Sequence, residues 1–264
     1  MKNKKALVVL SGGQDSTTVL FWAKQHFEEV HAITFDYGQR HLIELSAARR
    51  IGEMAEVASH EFVAIPDILQ STSPLTSQAD LEQYTDYAQM DAVIGERIET
   101  TFVPMRNALF LTIAANRAVA IGSLAIVTGI CQEDNANYPD CRESFRSVVE
   151  DYINLALGNS PFGKNGVTST WVEVLAPLMN LSKADSAKMA RSLPGCWEAL
   201  AYSHTSYDGK YPPTDMNHAN VLRAHGFEEA GLPDPLVLRA HKEGLMDLPE
   251  TENYKNLQLD LFND

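Results

Sequence analysis

The sequence is short of cysteine and of long apolar runs, and each shortage excludes a class of protein. Its three cysteines have no paired spacing, which is unlike a disulfide framework and suits a reducing compartment. The apolar run at residues 6–10 is shorter than the roughly 7–15 residues of a signal peptide core. The run at 118–130 is broken by Gly122 and Ser123 and falls short of the about 20 residues that span a membrane. We therefore expect a cytoplasmic protein without a membrane segment.

Basic charge is also scarce. The 264 residues include 21 Lys and Arg against 35 Asp and Glu, a net charge of −14. Lysine and arginine contacts to phosphate dominate the affinity of proteins for nucleic acids, and this chain has no basic run. The negative net charge argues against nucleic acid as the direct substrate, although it does not exclude a local basic patch. A small molecule or a protein is the favoured substrate. The length allows one large domain, or one domain with an appendage.

Two common phosphate-binding loops are missing as well. A Walker A loop requires a lysine after its second glycine, and no lysine lies between Lys5 and Lys24. A dinucleotide-binding turn requires three spaced glycines, and there is no third glycine before Gly38. The hexapeptide Ser-Gly-Gly-Gln-Asp-Ser, residues 11–16, stands in their place.

This glycine loop, residues 11–16, follows the apolar run at 6–10 and precedes a segment with helical spacing at 17–27. The pattern predicts a strand, a tight turn and a helix start. Adjacent glycines let the backbone approach an anion closely, and the first helix amides attract negative charge. The loop therefore predicts a phosphate site, with Asp15 holding a metal or capping the helix. The alternative is an ordinary glycine turn capped by Asp15.

Strands and helices alternate along the chain. Strands are predicted at residues 6–10, 30–36, 61–65, 124–128 and 171–176. Helices are predicted at 17–27, 44–58, 108–121, 143–157, after an N-cap at Ser182, and at 217–230 and 236–245. The alternation predicts an α/β fold, a parallel five-stranded sheet with helices on both faces, whose ligands lie at the carboxyl ends of the strands.

Two stretches depart from that alternation. Residues 67–101 lack clear periodicity and are expected to form a long loop with one short helix. From residue 194 onward the composition shifts to Pro, Tyr, His and Asn. We therefore expect a nucleotide-binding domain at 1–193 and a helical carboxyl-terminal segment at 194–264, packed on it.

Several separated motifs resemble those of the 7-cyano-7-deazaguanine synthase family of the queuosine pathway. They are residues 11–16, 34–41 (TFDYGQRH), 101–107 (TFVPMRN), 128–142 and 177–183 (PLMNLSK). The resemblance implies an adenine nucleotide α-hydrolase-like fold, the pyrophosphate-loop ATPase class, and commonly a homodimer. It implies that ATP, with Mg²⁺, adenylates 7-carboxy-7-deazaguanine, that ammonia gives the amide, and that a second ATP drives dehydration to the nitrile.

The resemblance also implies roles for individual residues. Catalysis falls to Asp15, Ser16 and Lys183. ATP is expected to contact Ser11, Gly12, Gly13, Gln14, Asp15, Ser16, Phe35, Tyr37, Arg106 and Gly129. The deazaguanine substrate is expected to contact Gln39, Arg40, Tyr138, Asp140, Cys141 and Arg142.

Some of these roles have plainer alternatives. Lys183 could be a solvated lysine in a first helical turn, and Arg106 could form only a surface salt bridge. Cys131 and Cys141 could be packing residues or ligand-lining ones. Met105 stands where the family usually has glycine, so this loop is expected to be less open or differently bent.

The chain departs from the family at a structural zinc site. The four zinc cysteine positions fall at Ser206, Thr214, Asn217 and Asn220, and none of these side chains is a thiolate. We therefore predict no zinc, with hydrogen bonds from the two asparagines holding the loop instead. A replacement metal site made of His204, Asp215 and His218 is the alternative.

The loss of zinc ligands leaves three functions open. The first is the parent reaction, from carboxylate to nitrile. The second is an amidoligase of QueC-like anti-phage defence type, in which an amine of a partner protein attacks the acyl-adenylate. The third is a non-catalytic nucleotide-binding module, against which the glycine loop, Asp15 and Lys183 argue.

Overall fold

A computed structural model describes residues 4–39, 43–132, 137–159 and 170–255. Its centre is a five-stranded sheet in the order β3-β2-β1-β4-β5, and every pairing is parallel. The strands are β1 Lys5–Val9, β2 Glu29–Asp36, β3 Ser59–Ala64, β4 Ala125–Val127 and β5 Glu173–Leu175. The predicted fold class is thereby confirmed, with strand bounds shifted by one or two residues.

The described residues also form nine α-helices and two short 3₁₀ helices. The α-helices are α1 Gln14–His26, α2 Ile43–Met54, α3 Tyr87–Ile94, α4 Arg106–Ala120, α5 Glu143–Ala156, α6 Lys183–Ser192, α7 Cys196–Leu200, α8 His218–Ala230 and α9 Pro235–Lys242. The 3₁₀ helices are Pro139–Cys141 and Glu252–Tyr254. Within the described ranges, none of these helices has the length and apolarity that crossing a bilayer requires.

Helices cover both faces of the sheet because side chains alternate along each strand. Ala6 and Val8 of β1 face α1, α2, α6 and α7, and share one core with Phe227 of α8. Leu7 of β1 faces the other way, into a core with α4 and α5. Cys196 lies in the first of these cores, so the predicted boundary at residue 193 is not a gap in packing. The division into two domains stays a prediction.

The helix predictions differ from the structure at three boundaries, and they missed one helix. Helix α9 ends at Lys242 rather than at residue 245. Helix α1 begins at Gln14 rather than at residue 17, because Gly13 already serves as its N-cap. Helix α2 ends at Met54 rather than at residue 58. It stops there because Glu56 adopts a left-handed φ of 48°, before β3 begins at Ser59. The short helix α7 was not predicted. The turn predicted at 158–168 and the loosely ordered last fifteen residues lie largely outside the described residues.

The segment 67–101 contains one short helix, α3, as predicted, and it packs on the carboxyl-terminal segment. The Tyr84 amide donates to the Met216 carbonyl at 2.8 Å, and the Tyr87 ring stacks on His225 with centroids 3.6 Å apart. A small separate core joins the two segments through Tyr84, Met90, Ile94, Val221 and Leu222. This packing fixes one side of the cavity described next.

Candidate active site

Hydrogen bonds from Ser11, Ser16 and Thr17 stabilise the glycine loop. Gly12 has a φ of 89°, in the left-handed region that favours glycine. The hydroxyls of Ser11 and Ser16 lie 3.0 Å apart, and Thr17 donates its hydroxyl proton to the Gly13 carbonyl at 2.7 Å. Within the described ranges no side chain caps α1, so its first amides stay available to a ligand, and the alternative of a turn capped by Asp15 is wrong.

Three neighbouring segments of the chain pack closely against the loop. A Cβ atom on Gly12 would lie 2.6 Å from the Glu44 carbonyl oxygen, and one on Gly129 would lie 3.0 Å from the carbonyl carbon of Asp15. The His204 amide donates to the Gly12 carbonyl at 2.8 Å. The loop is therefore fixed between α2, the end of β4 and residue 204, which preorganises its donors.

Asp15 and Lys183 form an ion pair at the mouth of the loop. Lys183 Nζ lies 2.7 Å from Asp15 Oδ2, and the two side chains are 12% and 26% exposed. Ser182 caps α6 by accepting from the Asp185 amide, which places Lys183 at the first position of the helix. A Cβ on Gly226 would lie 2.5 Å from Lys183 Cβ, so glycine lets α8 pack closely there. Lys183 is therefore not a solvated surface lysine.

A cavity of about 270 Å³ opens at the carboxyl ends of the strands, beside the loop. It brings together most of the predicted site residues: Ser11, Gly13, Gln14, Asp15, Ser16, Phe35, Tyr37, Gln39, Arg106, Gly129, Tyr138, Cys141 and Lys183. Gly12 lies within the loop but does not line the cavity, and Arg40 lies outside the described residues. Their roles toward ATP and substrate stay predictions.

Aromatic rings form one wall of this cavity. The Phe35 and Phe110 rings stack with centroids 4.2 Å apart, and Tyr37 lies 5.5 Å from Phe110. Arg106 lies beside Tyr37 and interacts electrostatically with it, so a surface salt bridge does not describe its position. Met105 adopts a φ of 66°, so it keeps the left-handed conformation that glycine favours.

Two predicted substrate contacts lie away from the cavity surface. The Asn107 amide donates to Asp140 Oδ2 at 3.3 Å, which ties this carboxylate to the start of α4. Burial raises the pKa of Asp140 above its usual range, although Arg106 opposes the shift. Arg142 is exposed and serves as the N-cap residue of α5. Neither is among the residues that line the cavity, and their roles toward the substrate stay predictions.

The cysteines Cys131 and Cys141 both line the cavity. The Cys131 thiol donates to the Leu181 carbonyl at 3.2 Å, and Cys141 Sγ accepts from Asn107 Nδ2 at 3.5 Å. Both cysteines therefore form hydrogen bonds within the protein and also line the cavity.

Sequence patterns missed Glu44, Thr205 and Tyr207, which line the cavity. His204 and His218 also line it, although the sequence suggested them only as ligands of a replacement metal site. Glu44 lies in the first turn of α2, and nothing local separates it from an ordinary helix-start glutamate. The residues at 204–207 reach the cavity only because the chain folds back onto the glycine loop, a long-range contact that periodicity does not reveal.

Asp215 is the centre of a hydrogen-bonded cluster at the zinc cysteine positions. Its Oδ1 lies 2.6 Å from Ser206 Oγ, its Oδ2 accepts from Asn217 Nδ2 at 2.5 Å, and Asn220 Nδ2 donates to its backbone carbonyl at 3.0 Å. Asn220 Nδ2 also contacts Oδ1, and Thr214 is exposed. The predicted role of the two asparagines is confirmed.

Among the described residues, no group of three or more His, Cys, Asp or Glu side chains is arranged to hold a metal ion. The replacement site of His204, Asp215 and His218 therefore does not form. His204 Nε2 instead bonds the Ser206 carbonyl at 2.6 Å. The absence of zinc stays a prediction.

Replacing Asp215 with alanine should lower the free energy of unfolding by about 2–4 kcal/mol, because several largely buried donors lose a charged acceptor. The midpoint of urea denaturation measures the change. Asp247, which is exposed, provides the matched control, and Asp247→Ala should stay within about 0.5 kcal/mol of the wild type. A chelator should leave the wild-type midpoint unchanged, whereas about one zinc per purified chain would contradict this account.

Sequence comparisons find related proteins that match most of the chain. The family model for queuosine biosynthesis protein QueC matches residues 5–231. The 7-cyano-7-deazaguanine synthase of Gloeobacter violaceus is 45% identical over 235 residues, which cover 88% of this chain and 95% of that protein. The same enzyme of Laribacter hongkongensis is 47% identical over 238 residues, 89% of this chain and 94% of that protein. These matches agree with the resemblance drawn from the motifs.

Solved structures were also compared. A 4-thiouridine synthetase, in a complex with RNA and bound ATP, matches with a TM-score of 0.44 and 16% identity. That match covers 85% of this chain and 53% of the synthetase, so the chain spans about half of its length. NMN synthetase from Francisella tularensis matches with a TM-score of 0.43 and 13% identity, over 94% of this chain and 81% of that one.

Proposed function

This chain belongs to the QueC family of queuosine biosynthesis proteins, and from that premise we propose that it makes 7-cyano-7-deazaguanine. The substrates would be 7-carboxy-7-deazaguanine, ammonia and ATP. The observation that carries the proposal is the loop of free α1 amides beside the Asp15–Lys183 pair, at one end of an aromatic cavity. This is an ATP-dependent ligase that forms carbon–nitrogen bonds.

The first step activates the carboxylate. A substrate carboxylate oxygen attacks the α-phosphorus of ATP, the α–β phosphoanhydride bond breaks, and pyrophosphate leaves. Charge spreads over the phosphate oxygens in the transition state, so fixed donors that face them lower the barrier. The α1 amides and the hydroxyls of Ser11 and Ser16 would bind these oxygens, and Lys183 would neutralise the developing charge.

The later steps use the same chemistry twice. Ammonia attacks the acyl carbon, AMP leaves, a proton is lost, and the primary amide forms. The amide oxygen then attacks a second ATP, again releasing pyrophosphate. Loss of two protons from nitrogen and departure of AMP leave the nitrile. Arg106 would orient the anionic substrate, because a guanidinium binds carboxylates through two parallel donors.

Asp15 also fits a magnesium ion. Its Oδ2 accepts from Lys183, while its Oδ1 is buried and has no hydrogen-bond partner among the described residues. An unpartnered carboxylate oxygen beside a phosphate site suits Mg²⁺, which takes oxygen ligands and substrate phosphates together. Bound there, Mg²⁺ would withdraw charge from the phosphate oxygens.

The experiment that tests this proposal is product identification. The purified chain is incubated with ATP, 7-carboxy-7-deazaguanine and ammonium, and the products are separated by mass spectrometry. We expect the nitrile together with AMP and pyrophosphate, and none of them when ATP is omitted. An amide that accumulates, or a protein adduct, would instead indicate the amidoligase alternative. No AMP under any condition would indicate the non-catalytic one.

The assembly and its location are further parts of the proposal. We expect a homodimer in the cytoplasm, without direct nucleic acid contact. Three apolar side chains at helical spacing on α5 support an interface, since Val148, Tyr152 and Leu155 are 65%, 51% and 60% exposed. Light scattering of the purified chain checks this, and a monomer at micromolar concentration would contradict it.

A further inference from the structure

Glu44 is an acidic cavity residue that the steps above do not use. Among the described residues that line the cavity, the acidic side chains are Asp15 and Glu44. Asp15 is paired with Lys183 at 2.7 Å. The Glu44 carboxylate, by contrast, has no side-chain hydrogen bond within the described part of the chain. Its acceptor capacity is therefore available to a ligand.

The surroundings of Glu44 disfavour an unpaired charge. The residue is partly exposed and lines the cavity. Burial raises the pKa of Glu44 to about 7, and Arg106 only partly offsets this shift. A desolvated carboxylate without hydrogen bonds is costly. A ligand that brings N–H donors would remove that cost.

The neighbours of Glu44 suit a flat heterocycle. Tyr37 interacts electrostatically with both Glu44 and Arg106. Its ring lies 5.5 Å from that of Phe110, which in turn stacks on Phe35 at 4.2 Å. Aromatic rings, a carboxylate and a guanidinium therefore line one cavity, and these three elements match the ring, the donor edge and the acid group of a carboxylated deazaguanine.

We propose that Glu44 binds the guanine-like edge of the substrate, accepting hydrogen bonds from the ring N–H and the adjacent 2-amino group. This inference rests on the proposed function and names the residue that sets its purine specificity. A carboxylate presents two acceptors, which match two adjacent donors. Adenine presents one donor beside one acceptor on the corresponding edge, so the adenine of ATP is a poor match for the same position.

Asp140, a carboxylate that the motif resemblance places among the substrate contacts, is less well positioned for this role. It does not line the cavity, and it already accepts from the Asn107 amide. Glu44 offers the same chemistry from the cavity wall, and no donor in the described part of the chain has to be displaced.

The test compares two ligands on two proteins. The ligands are 7-carboxy-7-deazaguanine and its analogue without the 2-amino group, titrated calorimetrically with a non-hydrolysable ATP analogue present. The wild type should prefer the amino compound by about 10- to 100-fold, the discrimination typical of one bidentate pair. In Glu44→Gln, binding of the amino compound should weaken by about 10- to 100-fold. Binding of its analogue should weaken by less than about threefold, because the glutamine carbonyl oxygen can still accept from the ring N–H, whereas its NH₂ group cannot accept from a 2-amino group.

The control is Glu53→Gln, the same change on an exposed side chain of the same helix, and it should alter neither affinity. Equal weakening of both ligands in Glu44→Gln, or no weakening, would overturn the inference and leave the proposed function standing. A selective loss of affinity for the ATP analogue would overturn it too, by assigning Glu44 to the nucleotide. Failure of the wild type to bind either deazapurine would overturn the proposed function together with the inference.

Discussion

Lys183→Met should slow AMP formation by about 10²- to 10³-fold, the loss typical of removing one preorganised group that stabilises developing charge. Methionine keeps most of the side-chain volume while removing the cation that lies 2.7 Å from Asp15. Single-turnover release of pyrophosphate, with 7-carboxy-7-deazaguanine and ATP both saturating, measures the effect on the chemical step. Thermal melting shows whether the variant stays folded.

Two further variants give this prediction its controls. Lys188→Met lies in the same helix, and its exposed ammonium pairs only with Asp185 among the described residues, so its turnover should match the wild type. Asp15→Asn should itself lose most of the activity. The double variant should lose much less than the product of the two single losses, because the pair acts as a unit. Turnover of Lys183→Met within threefold of the wild type would remove this lysine from the mechanism.

Asp234→Ala should lower the free energy of unfolding by about 3–5 kcal/mol, because it leaves a buried guanidinium without its partner. Arg223 and Asp234 have side chains only 3% and 4% exposed, and they are joined by two hydrogen bonds of 2.6 and 2.7 Å. Asp234 also caps α9, by accepting from the Leu236 amide at 2.9 Å. We expect Tm to fall by roughly 10 °C or more.

The matched control for that variant is Glu243→Ala, since Glu243 pairs with the half-buried Arg239 at the surface and should contribute less than about 1 kcal/mol. ATP affinity should fall in Asp234→Ala but not in Glu243→Ala. The reason is that Arg223 also donates to the hydroxyl of Thr205, which lines the cavity, at 2.7 Å. An unfolding free energy within 1 kcal/mol of the wild type would show that the buried pair contributes little.

Local signals explain which parts of the fold were predictable. The strands of the sheet are short apolar runs bounded by turn residues, and the glycine loop marks the junction of β1 and α1. Ser182 indicated the start of α6, since serine is a common N-cap residue and its side chain accepts from the amide of Asp185, three residues later. Helix α7 has only five residues, fewer than two turns, so it has too little periodicity to stand out.

The site residues also fall into those that local sequence motifs indicated and those that they did not. Asp15, Arg106 and Lys183 belong to contiguous motifs, so the sequence pointed to them. Glu44 did not stand out, because its importance comes from its position between the loop and Arg106, which only the packing of α2 creates. The role of Asp215 as the acceptor for these side chains could not be predicted for a similar reason. The turn brings both asparagines back onto its carboxylate, and residue identity alone does not show which acceptor they reach.

The Asp215 cluster has a consequence for the conditions in which the chain can stay folded. A thiolate-bound ion can be lost when zinc is scarce, and its sulfur ligands are open to oxidation by peroxide. The cluster contains no thiolate, since its members are hydroxyl, amide and carboxylate groups, and we predict that it holds no zinc. The carboxyl-terminal wall of the cavity should therefore keep its shape through metal starvation and oxidative stress, two conditions that would open a zinc-built wall.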